Sequence, residues 1–479
     1  MSTQWYALHD LWIHPTEATA PRVAAIREVA DPELGDVDAL IAAAPCPIWK
    51  GARDDRATAA AQVLERAGVP CELVEVGRRC VCIDPHNPAR GNGPIHIFVR
   101  IRMVLFWEIG ALGEAGRTGY RNCASVEEAE RLFEQRISER RANGWLVAGD
   151  EEEALRAVSA VNADLERRLL EDPDDLETLA VYGDWLQEQG DPRGELVALQ
   201  LASQQGDPRR DESVLLGSNR GHLYGLLARL GGDLQPIWRN GFLDQVHVGE
   251  GAWNRPLQRG LTGGDLLRGL VLLPAGLLLR KLSVSSGIYQ LAETADAVGL
   301  PLLLRELTLG PWGSETPPAY GIDPLQPPRL PTRSMRDLHV LRIHAQEIDF
   351  GSPPSLPELR ELALRPRLLG PGLARQICEA HLPRLERLYL WLVGDENNVE
   401  AERPAAGDLL PLLDGRVELP HLRDLALINA GAQVGVLLRA LASGPRVRRL
   451  ETLQLHGAEA DTGTLAQYAA RYPRLKLMY

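Results

Sequence analysis

Few stretches of this chain carry side chains that could do chemistry. Cys80-x-Cys82, with His86 and His96 nearby, has the residue types of a metal site but lacks paired Cys-x-x-Cys spacing. Alternation along a strand places both thiols on one face, where they pack as small hydrophobes. Asp184, Asp191 and Glu195 could form a carboxylate set for metal or acid–base work, yet each neighbouring feature has a structural account. Asp172-Pro173 and Asp191-Pro192 read as helix starts, an Asp cap followed by Pro at the first helical position. Gly190 reads as a helix stop, and Arg193 is expected to pair with Glu195 or Asp184. Gly91-Asn92-Gly93 and Gly113/Gly116/Gly119 read as turns, because neither follows a strand–loop–Lys pattern. The histidines at 339, 344, 381, 421 and 456 are scattered rather than paired. The expectation is no catalytic residue, no metal and no cofactor, hence no enzyme.

The remaining constellation depends on a repeating pattern: leucine, two variable residues, leucine, one variable residue, leucine. It occurs as Leu279/Leu282/Val284, Leu304/Leu307/Leu309, Leu338/Leu341/Ile343 and Leu359/Leu362/Leu364. It returns as Leu385/Leu388/Leu390, Leu422/Leu425/Leu427 and Leu450/Leu453/Leu455, with a degenerate copy at Leu475/Met478. Four copies begin Pro-x-Leu, at Pro357, Pro383, Pro420 and Pro473. In each copy a short strand buries its second and third apolar positions, and neighbouring strands share one core. Gly372 to His381 and Ala432 to Ala442 have helical character between strands. A fixed motif at variable spacing resembles a leucine-rich repeat domain. The resemblance implies a solenoid with helical segments on its convex side. The variable strand residues then point to the concave face: Arg342 and His344, Arg365, and Arg387, Tyr389 and Trp391, with Thr308, Asp424, Gln454 and His456 from neighbouring copies. Arginine beside Tyr and Trp is the composition of an interface hot spot.

Composition bounds the rest. A chain of 479 residues, 45% hydrophobic and 24% charged, is ordinary for a soluble protein of several domains. No apolar run reaches membrane-spanning length, and the N-terminus lacks a secretory pattern. Six cysteines without framework spacing suggest a reducing cytoplasm. The net charge of −13 argues against diffuse nucleic-acid binding, though not against a local basic patch. Lys50, Lys281 and Lys476 are the only lysines, a balance expected of a GC-rich bacterial genome.

Residues 5–76 read strand, helix, helix, helix, strand, with Gly68 as a left-handed cap. Val23-x-x-Ile26-Arg27-x-Val29, Leu34-Gly35, Ala44-Pro45, Lys50-Gly51 and Gly68-Val69-Pro70-Cys71-Glu72-Leu73 resemble the C-terminal domain of the ribosomal stalk protein and its ClpS-like relatives. That resemblance implies a docking module. Residues 77–149 hold strands at Arg79–Ile83 and Ile95–Ile109, then a helix that Ser125 and Glu128 start as a capping box. Trp107-Glu108-Ile109-Gly110-Ala111-Leu112-Gly113-Glu114, Ala129, Phe133 and Asn143-Gly144-Trp145 resemble the WGR domain, a family that includes binders of DNA ends. Glu108 stands where that family has Gly-Arg, so protein docking is the expectation and nucleic-acid binding the alternative. Residues from about 160 to 242 resemble the short companion domain found beside divergent bacterial leucine-rich repeats. The matching residues are Glu171-Asp172-Pro173-Asp174-Asp175, Tyr182, Asp184-Trp185-Leu186, Glu188, Gly190-Asp191-Pro192-Arg193-Gly194-Glu195 and Trp238-Arg239-Asn240-Gly241-Phe242.

The expected architecture is α/β, in four parts: 1–76 stalk-like, 77–149 WGR-like, 150–240 helical, and 241–479 repeats. The expected function is a cytoplasmic adaptor or sensor that binds a protein partner on the concave face, works with an effector encoded elsewhere, and has no membrane role. The alternative is a DNA or RNA sensor using Arg78, Arg79, Arg100 and Arg102.

Overall fold

In the computed structural model the described residues are 6–29, 37–84, 94–111, 116–149, 151–204, 212–249, 263–285, 291, 294–295, 298–311, 330, 332–345, 347–392, 406–429, 434–443, 449–456 and 476–478. The chain is mixed α/β and is built on two sheets.

The first sheet is antiparallel, in the order β2-β1-β3-β4-β5-β6, with β7 added on β3. Its strands are β1 (Tyr6–Ile13), β2 (Cys46–Arg53), β3 (Cys71–Ile83), β4 (Pro94–Ile101), β5 (Val104–Ala111), β6 (Arg117–Asn122) and β7 (Leu146–Ala148). β2 is absent from the sequence reading, because Pro47 and Gly51 interrupt its alternation. Helices α1 (Ala20–Val29), α2 (Val37–Ala43) and α3 (Asp54–Arg66) enclose a core around Leu11, Ile13, Ile26 and Leu64. Gly68 ends α3 at φ +72°, as expected. Helix α4 (Val126–Ala142) starts at Ser125, whose Oγ accepts from Glu128 N at 3.2 Å. The Glu128 carboxylate accepts from Ala124 N at 2.7 Å. Phe133 and Ile137 of α4 share a core with Cys80, Cys82 and Phe98.

The division expected at residues 76/77 falls inside β3, which runs unbroken through Gly77. Gly77 looks like a linker residue but is required by packing: a Cβ there would lie 2.0 Å from the Arg100 carbonyl oxygen.

Four helices follow: α5 (Glu151–Val158), α6 (Ala163–Glu171), α7 (Leu176–Glu188) and α8 (Pro192–Gln204). Asp175, not Asp172, caps α7; its Oδ1 accepts from Glu177 N and Thr178 N, both at 3.1 Å. Pro173 therefore lies in the turn before the helix. Pro192 opens α8 as expected, and Asp191 Oδ1 accepts from Arg193 N at 3.0 Å.

The second sheet has ten strands in the order β17 to β8. Its first pair, β8 (Leu234–Arg239) and β9 (Phe242–Val248), forms an antiparallel hairpin. The turn is Asn240-Gly241, with φ +53° and +82°, a dipeptide suited to tight hairpins. The division expected at 240/241 thus sits in a two-residue turn within one sheet. From β9 onward every pairing is parallel. The strands are β10 (Lys281–Val284), β11 (Glu306–Leu309), β12 (Val340–Ala345), β13 (Glu361–Pro366), β14 (Arg387–Trp391), β15 (Asp424–Ile428), β16 (Thr452–His456) and β17 (Lys476–Met478).

The register is the leucine pattern itself. Val246, Leu282, Leu307, Leu341, Leu362, Leu388, Leu425, Leu453 and Leu477 stand side by side across the sheet. Leu282 through Leu453 are buried to within 1%. Helices Pro371–Cys378 and Val434–Ser443 close over this face, sharing its core through Ala374, Ile377, Leu437 and Leu441. The same core continues through Ala154 and Leu155 of α5 to Val81, Ile83, Ile95 and Ile97 of the first sheet. Among the described residues no helix is long and apolar enough to cross a membrane.

Two substitutions check this account. Leu362→Ala removes a fully buried side chain with a leucine on each neighbouring strand. It should cost about 2–5 kcal/mol in denaturant unfolding of the full chain. Gly77→Ala should cost roughly 1–3 kcal/mol, because the Arg100 backbone must shift to admit the methyl group. A neutral Gly77→Ala would mean that the two halves of β3 are not one strand.

Candidate functional site

The leucines fix which side chains of β12–β14 face away from the core, since alternate residues in a strand point to opposite faces. Arg342, Ala363 and Tyr389 form one row across the three strands, and Val340, Glu361 and Arg387 form the row beside it. His344 and Arg365 are paired in a third row that Trp391 extends.

Glu361 organises the centre. It is 6% exposed. Its Oε1 accepts from Arg342 Nε at 2.6 Å and lies 2.5 Å from Arg342 Nη2, while Oε2 accepts from Arg387 Nε at 2.8 Å. One carboxylate therefore orients two guanidinium groups on the flanking strands. Sequence reading missed Glu361, although its position before Leu362 puts it in the outward set. Nothing in spacing alone says that it is covered.

Tyr389 and Trp391 are half-buried on the same strand. Burial pushes the Tyr389 hydroxyl above its ordinary range, reinforced by Glu361 and Asp424 and opposed by Arg387 and Arg342. The Arg365 guanidinium carbon lies 5.9 Å from the Trp391 ring centroid, a cation–π arrangement. His344 does not behave as expected. It is 3% exposed, and its Nδ1 lies 3.2 Å from the Pro311 carbonyl oxygen. Burial lowers its pKa to about 4, opposed by the Pro311 hydrogen bond. His344 is a neutral, covered side chain, because the chain following β11 lies over it; it is not a surface contact. Of the six residues expected to bind a partner, Arg342, Arg365, Arg387, Tyr389 and Trp391 stand together on the accessible face. Gln454 is half-buried, Thr308 is buried at 6% exposure, and the His456 side chain lies outside the description.

The other candidate sets resolve into structure. Asp184 and Glu195 are exposed and Asp191 is buried, so the three do not form a carboxylate set. Arg193 pairs with Asp191, not with Glu195 or Asp184: Nε donates to Oδ1 at 3.0 Å and Nη2 to Oδ2 at 2.8 Å. His222 Nε2 lies 3.2 Å from the same Oδ2, and Arg193 Nη2 also donates to the Ala160 carbonyl at 2.5 Å. Burial opposes ionisation of Asp191, but His222 and Arg193 outweigh it and hold the carboxyl well below its usual range. This cluster ties the start of α8 to the chain before α6. Among the described residues no group of His, Cys, Asp or Glu could hold a metal ion. His86 and Gly91-Asn92-Gly93 lie outside the described residues, as does Gly113. His96 is occupied by Arg140, whose Nε donates to its Nδ1 at 2.9 Å. Gly119 is in β6, where a Cβ would meet the Trp107 ring at 2.6 Å.

The arginines of the first sheet are also engaged. Arg78 Nη1 and Arg100 Nε each lie 2.5 Å from Glu130, and Arg102 Nη2 lies 3.0 Å from Asp10. Arg79 Nη1 donates to the Gly149 carbonyl at 3.2 Å.

Comparison with protein-family models and with curated proteins returns no match. Among solved structures, the chain is similar to a Bacteroides fragilis protein from a structural genomics consortium at 14% identity. The match covers 83% of this chain and 95% of that one at a TM-score of 0.29, too low to support any argument.

The His344 environment makes a pH prediction. The unfolded chain binds a proton there below about pH 6.5, whereas the folded chain does so only near 4. His344 therefore withdraws stability as pH falls from 6.5 towards 4, by on the order of 3 kcal/mol at most. His344→Asn keeps an N–H for the Pro311 carbonyl and removes the titration. Its unfolding free energy should fall less steeply than wild type between pH 7 and about 4.5. Parallel curves would show that His344 is accessible to protons in the folded chain.

Proposed function

We propose that this chain is a non-enzymatic adaptor or sensor of the cytoplasm. Residues 241–479 are a leucine-rich repeat solenoid whose concave face recognises a protein partner. Parallel strands in sequence order, each aligned on its leucines, support the solenoid reading. The stalk-like, WGR-like and helical companion segments serve as docking modules. One observation carries the functional reading. Tyr389 and Trp391 stay partly accessible on β14, on the face opposite the buried leucines, beside Arg365 and Arg387. Leaving two neighbouring aromatics partly accessible forgoes part of the stabilisation that full burial would give, and aromatic–arginine clusters are what interfaces concentrate.

The observations favour protein over nucleic acid as partner. Arg78, Arg79, Arg100 and Arg102, the basic set that would hold phosphates, are all committed to groups within the fold. Arg100 is 5% exposed.

The test is capture of the partner from the native host by the full chain, followed by affinity measurement with variants. Trp391→Ala should weaken binding by about 2 kcal/mol or more, if the indole is a central anchor. It should alter the stability of the free protein far less than Leu362→Ala does. Unaltered affinity would sink the assignment of this face, and an unfolded variant would place the indole in the core.

A further inference from the structure

We propose that the centre of the β12–β14 face takes an acidic peptide segment, with glutamate or aspartate carboxylates seated on Arg342 and Arg387. The inference rests on the protein-binding reading above and names the chemistry of the partner.

Charge is the first argument. The outward side chains here include three arginines, Arg342, Arg365 and Arg387, and two carboxylates, Glu361 and the Asp424 that stands beside Arg387 on β15; three minus two leaves an excess of +1. The whole chain carries −13, so the excess is opposite in sign to the net charge of the chain. An acidic ligand is drawn to this face against the overall repulsion of a negatively charged chain.

Geometry is the second. A guanidinium has five N–H donors in a planar fork. Glu361 occupies Nε and Nη2 of Arg342 and Nε of Arg387. Among the described residues no acceptor meets their other donors, and the side chains are 26% and 41% exposed. Glu361 therefore fixes both forks from beneath, so that little side-chain freedom is lost when a second carboxylate arrives. Glu361 is a positioning residue in this arrangement. Ala363 lies between Arg342 and Tyr389 in its row and is only 1% exposed, so the flanking side chains close over it and bring the guanidinium and the phenol together above the sheet. The Tyr389 hydroxyl supplies a further donor. Trp391 and the half-buried Ile428, paired on adjacent strands, offer an apolar shelf alongside. The ligand that suits this layout carries carboxylates interleaved with apolar side chains.

The test uses the full chain and two fluorescein-labelled, C-terminally amidated peptides, one with glutamate at alternate positions and one with glutamine in its place. By fluorescence anisotropy at low salt, the glutamate peptide should bind roughly tenfold tighter or better, and added salt should erase the difference. Arg387→Gln keeps a polar partner for Glu361 and should remove most of that preference, while Arg387→Lys, with the charge but no fork, should keep part of it. Thermal melts confirm that both variants are folded. Equal affinity for the two peptides overturns the proposal, as does a preference that Arg387→Gln leaves intact. Tighter binding of a single-stranded oligonucleotide of equal charge also overturns it. A captured host partner that responds to Trp391→Ala but not to Arg387→Gln would keep the face and discard its acidic ligand. Indifference to both substitutions would discard both readings.

Discussion

The alignment of eight leucines and Val246 across nine neighbouring strands is the constraint on which the second sheet depends. A side-chain period of two means that a register slip by one residue would exchange the leucine face for the polar one. Each buried leucine contributes on the order of 1.5–3 kcal/mol of transfer free energy, so a slipped strand is heavily penalised. That penalty, rather than any turn sequence, lets strands separated by 21 to 37 residues find a common register. The connections vary because they only need to return the chain to the same edge. Parallel strands require such long crossovers in any case.

The way the sheet begins is a separate problem. A first parallel strand has no preceding repeat to cover its edge, and exposed edges invite unwanted pairing. Here β9 is covered by β8 through the Asn240-Gly241 turn. That turn is held from the helical side: Gly241 N donates to Gln200 Oε1 at 2.8 Å, and Gln204 Nε2 donates to Asn240 Oδ1 at 2.7 Å. A Cβ on Gly241 would lie 2.3 Å from a Val197 methyl, so α8 packs directly against the turn. α8 is itself anchored by the buried Asp191–Arg193 pair. Phe242, Tyr182 and Trp185 stack in series beside it, with centroids 6.0 and 5.8 Å apart. The helical segment is in this sense the end cap of the sheet, which accounts physically for its position in the chain directly before the parallel strands.

What the sequence made legible follows from the range of the interactions involved. The leucine strands, the α4 cap at Ser125 and the stops at Gly68 and Gly190 are set within a few residues, and local pattern finds them. Glu361 was also readable in part: the period places it outward, but only the neighbouring strands show that Arg342 and Arg387 both turn to it. His344 was misjudged because the covering Pro311 carbonyl belongs to the preceding copy. His222 approaches Asp191 from well along the chain, and the continuity of β3 hides behind a glycine chosen for its close contact with Arg100. In each case the deciding partner is distant in sequence, and its identity depends on packing that no short window contains.

Energetics separate the two faces of the second sheet. Pairs such as Lys281–Glu306, at 3.2 Å, are about 39% and 38% exposed and contribute little to stability, as surface ion pairs do. Glu361 differs, because a buried carboxylate is costly unless it is fully paired. Removing either arginine would leave one of its oxygens without its partner, whereas an apolar residue in its place would cost the fold nothing of the kind. Stability is therefore not a sufficient reason for a charge at this position, since the leucines opposite already supply it. What Glu361 adds is direction: two long side chains, otherwise free to sample many rotamers over the sheet, are held in one arrangement next to the accessible aromatic pair. A fold concerned with stability alone would have no need of that order, and the binding face we propose does.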